Sequence, residues 1–137
     1  MSGTVEYMSP EGLHKNPAYS QVVVTRGTVR TVYVGGQNAV NASGEVVGRG
    51  DVAAQTEQAF ENLRLALAAA GADLTHVVKW NIYLVQGQPI QPAFEVFRRI
   101  WGQRSDLPPT ITVLYVAGLA NPDFLAEIDA IAAVPED

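Results

Sequence analysis

The chain has 137 residues, 47% hydrophobic and 17% charged, a composition that builds a packed core and excludes intrinsic disorder. It has no cysteine, which removes disulfides, thiol nucleophiles and cysteine-ligated metal centres; its two histidines could hold a metal only together with carboxylates. Nine Lys and Arg against fourteen Asp and Glu leave a formal charge of −5, a poor electrostatic match for nucleic acid. No basic-then-apolar leader and no run of ~18 apolar residues is present. The expectation is a cytoplasmic protein with no membrane contact, folding as one domain over residues 1–137, with residues 1–14 as an N-terminal strand and loop.

Thr4 to Tyr7 reads as a short strand, followed by a polar loop with Pro10, Gly12 and Pro17. Residues 20–25 (SQVVVT) and 29–35 (VRTVYVG) are β-branched runs around Arg26-Gly27, which predicts a hairpin. Gly35-Gly36 ends the second run, and Asn41-Ala42-Ser43-Gly44 is a turn before a short strand end at Glu45–Val47. From Asp51 the period changes. Val52, Thr56, Phe60, Leu63, Leu67 and Ala70 recur at steps of four and three, one face of a helix. Asp51 suits its N-cap and Gly71 the position just past its end. Residues 76–85 (HVVKWNIYLV) form a central strand with Lys79 and Asn81 on a partly polar face. Pro89 and Pro92 open a second helix whose buried stripe is Phe94, Phe97 and Trp101. Residues 110–117 (TITVLYVA) and 124–133 (FLAEIDAIAA) are the last strands, the latter with Glu127 and Asp129 on one face.

The order β-β-β-α-β-α-β-β is an α+β pattern, one sheet with two helices on one face. Strands 76–85 and 110–117 carry apolar residues in both parities, so the face without helices needs a cover. An uncovered apolar sheet face argues for self-association.

No phosphate-binding loop, dinucleotide fingerprint, zinc-protease motif or nucleophile elbow occurs. Gly35-Gly36-Gln37 is too short for a phosphate cradle and also reads as a strand end with close backbone approach. Glu127 and Asp129 are the one strand-borne carboxylate pair, able to hold a water or act as general base, or simply solvated on an edge. Tyr19 is a loop tyrosine with a packing or a surface role. His76 suits a cap better than catalysis, Trp80 and Trp101 suit core or interface anchors, and Arg98-Arg99 suit a solvated face. The residues alone leave the function open.

Several segments, taken in order, resemble the RidA/YjgF/UK114 family. They are Asn16-Pro17-Ala18-Tyr19-Ser20-Gln21, Val34-Gly35-Gly36-Gln37 and Ser43-Gly44-Glu45-Val46. Asp51 to Leu63 (DVAAQTEQAFENL) is similar to the family's D-x-x-x-Q-x-x-x-x-x-x-N-L helix, and Glu127 to Ala132 (EIDAIA) to its E-I-E-A-I-A signature. The resemblance spans roughly residues 15–133 and rests on order and spacing together. It implies a chorismate-mutase-like α+β fold and a homotrimer whose sheets enclose a barrel. Small-molecule clefts would lie between subunits, with no metal or cofactor. The best-known members hydrolyse 2-imino acids to 2-keto acids and ammonia.

Carried over residue by residue, Glu127 matches the glutamate that positions the attacking water. Tyr19 matches a tyrosine lining the cleft, and Gly36 a glycine bordering the ligand. Gln91 falls where many members carry an asparagine. The departure is on the strand after the prolines. Active members have an arginine there, in a P-x-R-[ST] pattern, that grips the substrate carboxylate in a bidentate fork. Counting back from Val116-Ala117-Gly118-Leu119 puts Ile111 at that position; a shift of one would put Thr110 there. Neither is a cation, and an unpaired buried carboxylate costs several kcal/mol. Arg98, Arg99 and Arg104 are the cations that could reach in.

Four functions follow from the resemblance. The first is a hydrolase for an imine or enamine lacking the α-carboxylate, with Glu127 orienting water and Ile111 forming an apolar wall. The second is a non-catalytic small-molecule-binding protein, and the third a protein-interaction or chaperone-like trimer. The fourth, ribonuclease activity, is disfavoured by the −5 charge and by the absence of a paired catalytic histidine.

Overall fold

The computed structural model describes residues 2–101 and 108–137. Six strands and two helices follow the expected order: β1 (Thr4–Met8), β2 (Val22–Arg26), β3 (Val29–Gln37), α1 (Val52–Ala69), β4 (Val77–Val85), α2 (Ile90–Trp101), β5 (Thr110–Val116) and β6 (Ala126–Pro135). Hydrogen bonding groups them as a four-stranded sheet in the order β3-β6-β4-β5 and a two-stranded β1-β2 ribbon. The pair β4-β5 is parallel and crosses over through α2, whereas β3-β6 and β4-β6 are antiparallel.

The expected hairpin across Arg26-Gly27 is not formed, because β2 pairs with β1 and β3 with β6. Gly27 takes a positive φ of 74°, a conformation open to glycine, and there the chain passes from the ribbon to the sheet. The ribbon stays attached at its end, where Gly3 donates to the Glu136 carbonyl at 2.9 Å and Glu136 donates to the Thr28 carbonyl at 2.9 Å.

Helix α1 begins where Asp51 accepts from the Ala54 amide at 3.1 Å and ends before Gly71, whose φ is 72°, the usual left-handed exit. It buries Phe60, Leu63 and Leu67 against the sheet. Between α1 and β4, residues Leu74–His76 form a short 3-10 turn. There Asp73 caps the Thr75 amide and the His76 ring accepts from the Asp73 amide at 3.0 Å, so His76 serves as a cap.

Helix α2 buries Ala93, Val96, Phe97 and Trp101. Phe94, expected in the buried stripe with Phe97 and Trp101, is instead 41% exposed, at the edge of the arc that Ala93, Val96, Phe97 and Trp101 bury. Trp80 is fully buried at the centre, with Phe60 at 5.5 Å, Phe97 at 5.2 Å and Trp101 at 5.4 Å between ring centroids, in the edge-to-face arrangement aromatic quadrupoles prefer.

Along β4, Trp80, Ile82 and Leu84 are buried under the helices while Lys79, Asn81, Tyr83 and Val85 alternate onto the other face. That open face is mixed rather than uniformly apolar. It carries Tyr33, 77% exposed, and Leu114, but also the polar side chains of β4 and β6. No helix among the described residues is long and apolar enough to cross a membrane.

Candidate functional site

The site residues fall into two groups on opposite sheet faces. Ile111 is the register partner of Trp80, and Glu127 that of Tyr83. Partners across a ladder share a face, and residues 80 and 83 differ in parity. Ile111 therefore lies on the helix side and Glu127 on the open side.

On the open side, β3 bulges between Val34 and Gln37 against β6, which brings Gly36 onto Glu127. A β-carbon on residue 36 would lie 2.8 Å from the Glu127 Cδ and closer still to Oε2. The glycine is there for space, since its φ is not in the left-handed region. The other carboxylate oxygen, Oε1, accepts from the Asn38 side-chain amide at 3.1 Å. Asn38 is held in turn by Asn62 of α1, whose amide donates to the Asn38 carbonyl at 2.9 Å and the Val40 carbonyl at 2.8 Å.

The helix motif thus has a structural use at each of its polar positions. Asp51 caps, and Asn62 fixes the 38–40 loop. Gln55 is fully buried and fixes the entry to β6. Its amide donates to the Gly48 carbonyl at 3.2 Å and the Asp123 carbonyl at 2.9 Å, and its oxygen accepts from the Leu125 amide at 2.8 Å. Glu127 follows two residues later.

The two carboxylates of β6 have separate partners. Asp129 accepts from the Asn81 amide at 2.7 Å and from the Tyr83 hydroxyl at 3.0 Å. Burial, then this hydrogen bond, then the negative charges of Asp129 and Glu127 raise the Tyr83 phenol above its ordinary value. Both Asp129 oxygens are thus occupied, whereas Glu127 Oε2 has no hydrogen-bond partner among the described residues.

On the helix side, Tyr19 and Ile111 line one cavity of about 210 Å³ between the 16–19 loop, α2 and β5. The loop is an Asx turn in which Asn16 accepts from the Ala18 amide at 2.8 Å. It is tied to the strand start by Ser20, whose amide donates to the Pro109 carbonyl at 3.1 Å and whose hydroxyl donates to the Pro108 carbonyl at 2.6 Å. Those bonds place Tyr19 beside Ile111.

The remaining candidates stand apart. Gln91 is exposed on the first turn of α2 and lines no described cavity, although its neighbour Ile90 does. Thr110 is on the open face and donates to the Val78 carbonyl at 2.9 Å. Arg98 pairs with Glu95 at 2.5 Å and Arg99 with Glu57 at 3.1 Å, both exposed. Arg104 lies outside the described residues. No group of three or more His, Asp or Glu among the described residues is placed to hold a metal ion. Sequence reasoning missed Asn38 and the Asn81–Tyr83 pair. The adjacency of Asn38 to Gly35-Gly36-Gln37 was its one signal, and the cross-strand pair needed the register.

Residues 12–134 match the family model described as Endoribonuclease L-PSP. The chain is 32% identical over 131 residues to Protein DfrA of Myxococcus xanthus, covering 91% of this chain and 96% of that one. It is 35% identical over 115 residues to the 2-iminobutanoate/2-iminopropanoate deaminase of Rattus norvegicus, covering 84% and 79%. Among solved structures it is similar to the Rid-family protein YyfB of Yersinia pestis, with a TM-score of 0.83, 32% identity and coverage of 95% and 98%. The chain therefore belongs to the Endoribonuclease L-PSP family, the RidA/YjgF/UK114 family that its sequence resembles.

Proposed function

We propose that this protein binds a small metabolite in clefts between subunits of a homotrimer and hydrolyses an imine or enamine that lacks the usual α-carboxylate. The observation that carries this reading is the division of the site. Glu127 and Gly36 lie on one sheet face and Tyr19 and Ile111 on the other, so one copy's carboxylate meets another copy's pocket only in an assembly. The exposed Tyr33 and Leu114 support an open face covered by other copies.

In the proposed reaction, Oε2 of Glu127 accepts a proton from a water as its oxygen attacks the C=N carbon. The π electrons move to nitrogen, which takes up the proton that Glu127 received. In the carbinolamine, Glu127 relays the hydroxyl proton to the amino nitrogen, and ammonia leaves as the C–N bond breaks and the carbonyl forms. Tyr19 borders the ligand, and Ile111 replaces the cation that would select a carboxylate. Binding without turnover is the second reading, favoured by that same apolar wall.

The test uses 2-iminobutanoate made in situ from threonine by a pyridoxal-phosphate dehydratase. Wild type is expected not to hydrolyse it, Ile111→Arg to gain hydrolysis, and Ile111→Arg/Glu127→Gln to lose the gain. Wild-type turnover matching an arginine-bearing relative would sink the reading of Ile111. An Ile111→Arg activity that survives Glu127→Gln would remove Glu127 from the mechanism. Light scattering gives the assembly; a monomer at working concentration overturns the shared cleft.

A further inference from the structure

The cavity holding Tyr19 and Ile111 has a chemical character of its own. Its walls come from the helix-side faces of β4 and β5, where Val113 is partly open to solvent, from α1 and from α2. They include Phe60, Phe97, Ile82, Leu84 and Val113, with Phe94 also lining it. Among the described residues, no charged side chain lines it. Of its polar members, Thr56 is committed to the Val52 carbonyl at 2.7 Å and the Asn16 oxygen to its own turn. The Tyr19 hydroxyl makes no hydrogen bond among the described residues. Arg98, 5.9 Å from the Phe94 ring centroid, is already paired in solvent with Glu95.

We infer that this cavity is a specificity pocket for an uncharged, apolar group the size of a single six-membered ring, aromatic or saturated, with one polar atom directed to the Tyr19 hydroxyl. Size supports the ring. An apolar cavity of about 150 Å³ lined by aliphatic and aromatic side chains stays dry and takes up benzene. At about 210 Å³ this cavity adds room for a short substituent. Wall chemistry supports neutrality, since a carboxylate entering here would lose its water with no cation among the described lining residues to replace it. Two aromatic side chains, Phe60 and Phe97, are fixed by their contacts with buried Trp80. The cavity is therefore held open by the core, and little ordering is needed to fill it.

The inference rests on the proposed cleft in making this group part of the substrate. Its test is binding, read without any reaction. The full-length protein is titrated with acetophenone and, separately, with benzoate, a probe of the same heavy-atom count bearing a charge. Calorimetry gives affinity, and ring-proton NMR transfer to Ile111 and Val113 methyl groups gives location. The expected result is saturable acetophenone binding at least tenfold tighter than benzoate, with transfer to both methyl positions. Val113→Trp, which fills the cavity, is expected to abolish binding while circular dichroism is unchanged. Equal affinities, tighter benzoate, no binding of either probe, or binding without methyl transfer would each overturn the inference. If Val113→Trp does not fold, wild-type selectivity and methyl transfer decide alone. Neutral-ring binding together with failure of the Glu127→Gln test would keep the pocket and retire the hydrolase.

Discussion

The carboxylate of Glu127 occupies the space that a side chain on residue 36 would need, a β-carbon there falling 2.8 Å from Cδ. The group that must move is the tip of a flexible, partly buried side chain, not backbone. Gly36→Ala should therefore leave stability within about 1 kcal/mol of wild type while turning the carboxylate away. In the Ile111→Arg background its hydrolysis of 2-iminobutanoate should fall at least tenfold. Urea denaturation beside turnover separates the two effects. Full activity with an alanine at 36 would mean that the carboxylate position is immaterial.

Asn38 holds Glu127 Oε1 through a 3.1 Å hydrogen bond, leaving Oε2 as the oxygen that can meet water. Asn38→Ala removes that donor and keeps the backbone carbonyl that Asn62 grips. A positioning role predicts a fall of about tenfold in kcat with KM little changed, the pattern of an interaction used in the transition state. A rise in KM at constant kcat would assign Asn38 to ligand binding instead. Steady-state kinetics of Ile111→Arg with and without Asn38→Ala decides.

How much of this was legible in the sequence depended on range. Helix α1 is legible to its ends because Asp51 and Gly71 are local signals whose chemistry is complete within a few residues. The stripe of α2 departs from expectation at Phe94: the spacing 94-97-101 is helical, but the buried arc also takes in Ala93 and Val96, which leaves Phe94 at its edge. The β2-β3 hairpin failed for a different reason. Two β-branched runs around a glycine specify strands but not partners, and β1 and β6 supplied better ones. The family resemblance nominates Tyr19, Gly36, Glu127 and Ile111, but their division between two faces follows from the β4-β5 and β4-β6 registers. Those pairings join residues more than thirty positions apart, and no short-range pattern encodes them.

Tyr83 gives a pH signature of the open face. Its phenol is raised above the ordinary value of 10.0, by burial first and then by Asp129 and Glu127. The folded state thus holds the phenolic proton more tightly than the unfolded chain. The resulting stability is fully present below pH 10, and is lost as pH rises through the folded-state value. Among the five tyrosines, Tyr83 should be a late one in phenolate absorbance at alkaline pH, and Tyr83→Phe should remove that late phase. Denaturation curves above pH 10 should also fall less steeply for Tyr83→Phe than for wild type. A late phase surviving the substitution would assign it to another tyrosine and remove the Asp129 bond as its cause.

Gln55 joins three separated segments from a fully buried position, meeting Gly48, Asp123 and Leu125 through its amide. Gln55→Leu keeps most of the volume but strands one amide N–H and two carbonyls. Unmet buried polar groups cost about 1–3 kcal/mol each, with carbonyls at the low end because backbone relaxation or water reaches them more readily. The expected loss is about 3 kcal/mol in urea denaturation, compared at equal protein concentration because an associating chain gains stability by mass action. Leu65→Ser on the same helix, at a position 60% exposed, should change stability by no more than about 0.5 kcal/mol. Gln55 also anchors the residues leading into β6, so amide exchange at Leu125 and Ala126 should quicken in Gln55→Leu ahead of the rest of the sheet. Uniform acceleration across β3, β4 and β6 would mean that Gln55 stabilises the fold globally and does not specifically hold the segment that presents Glu127.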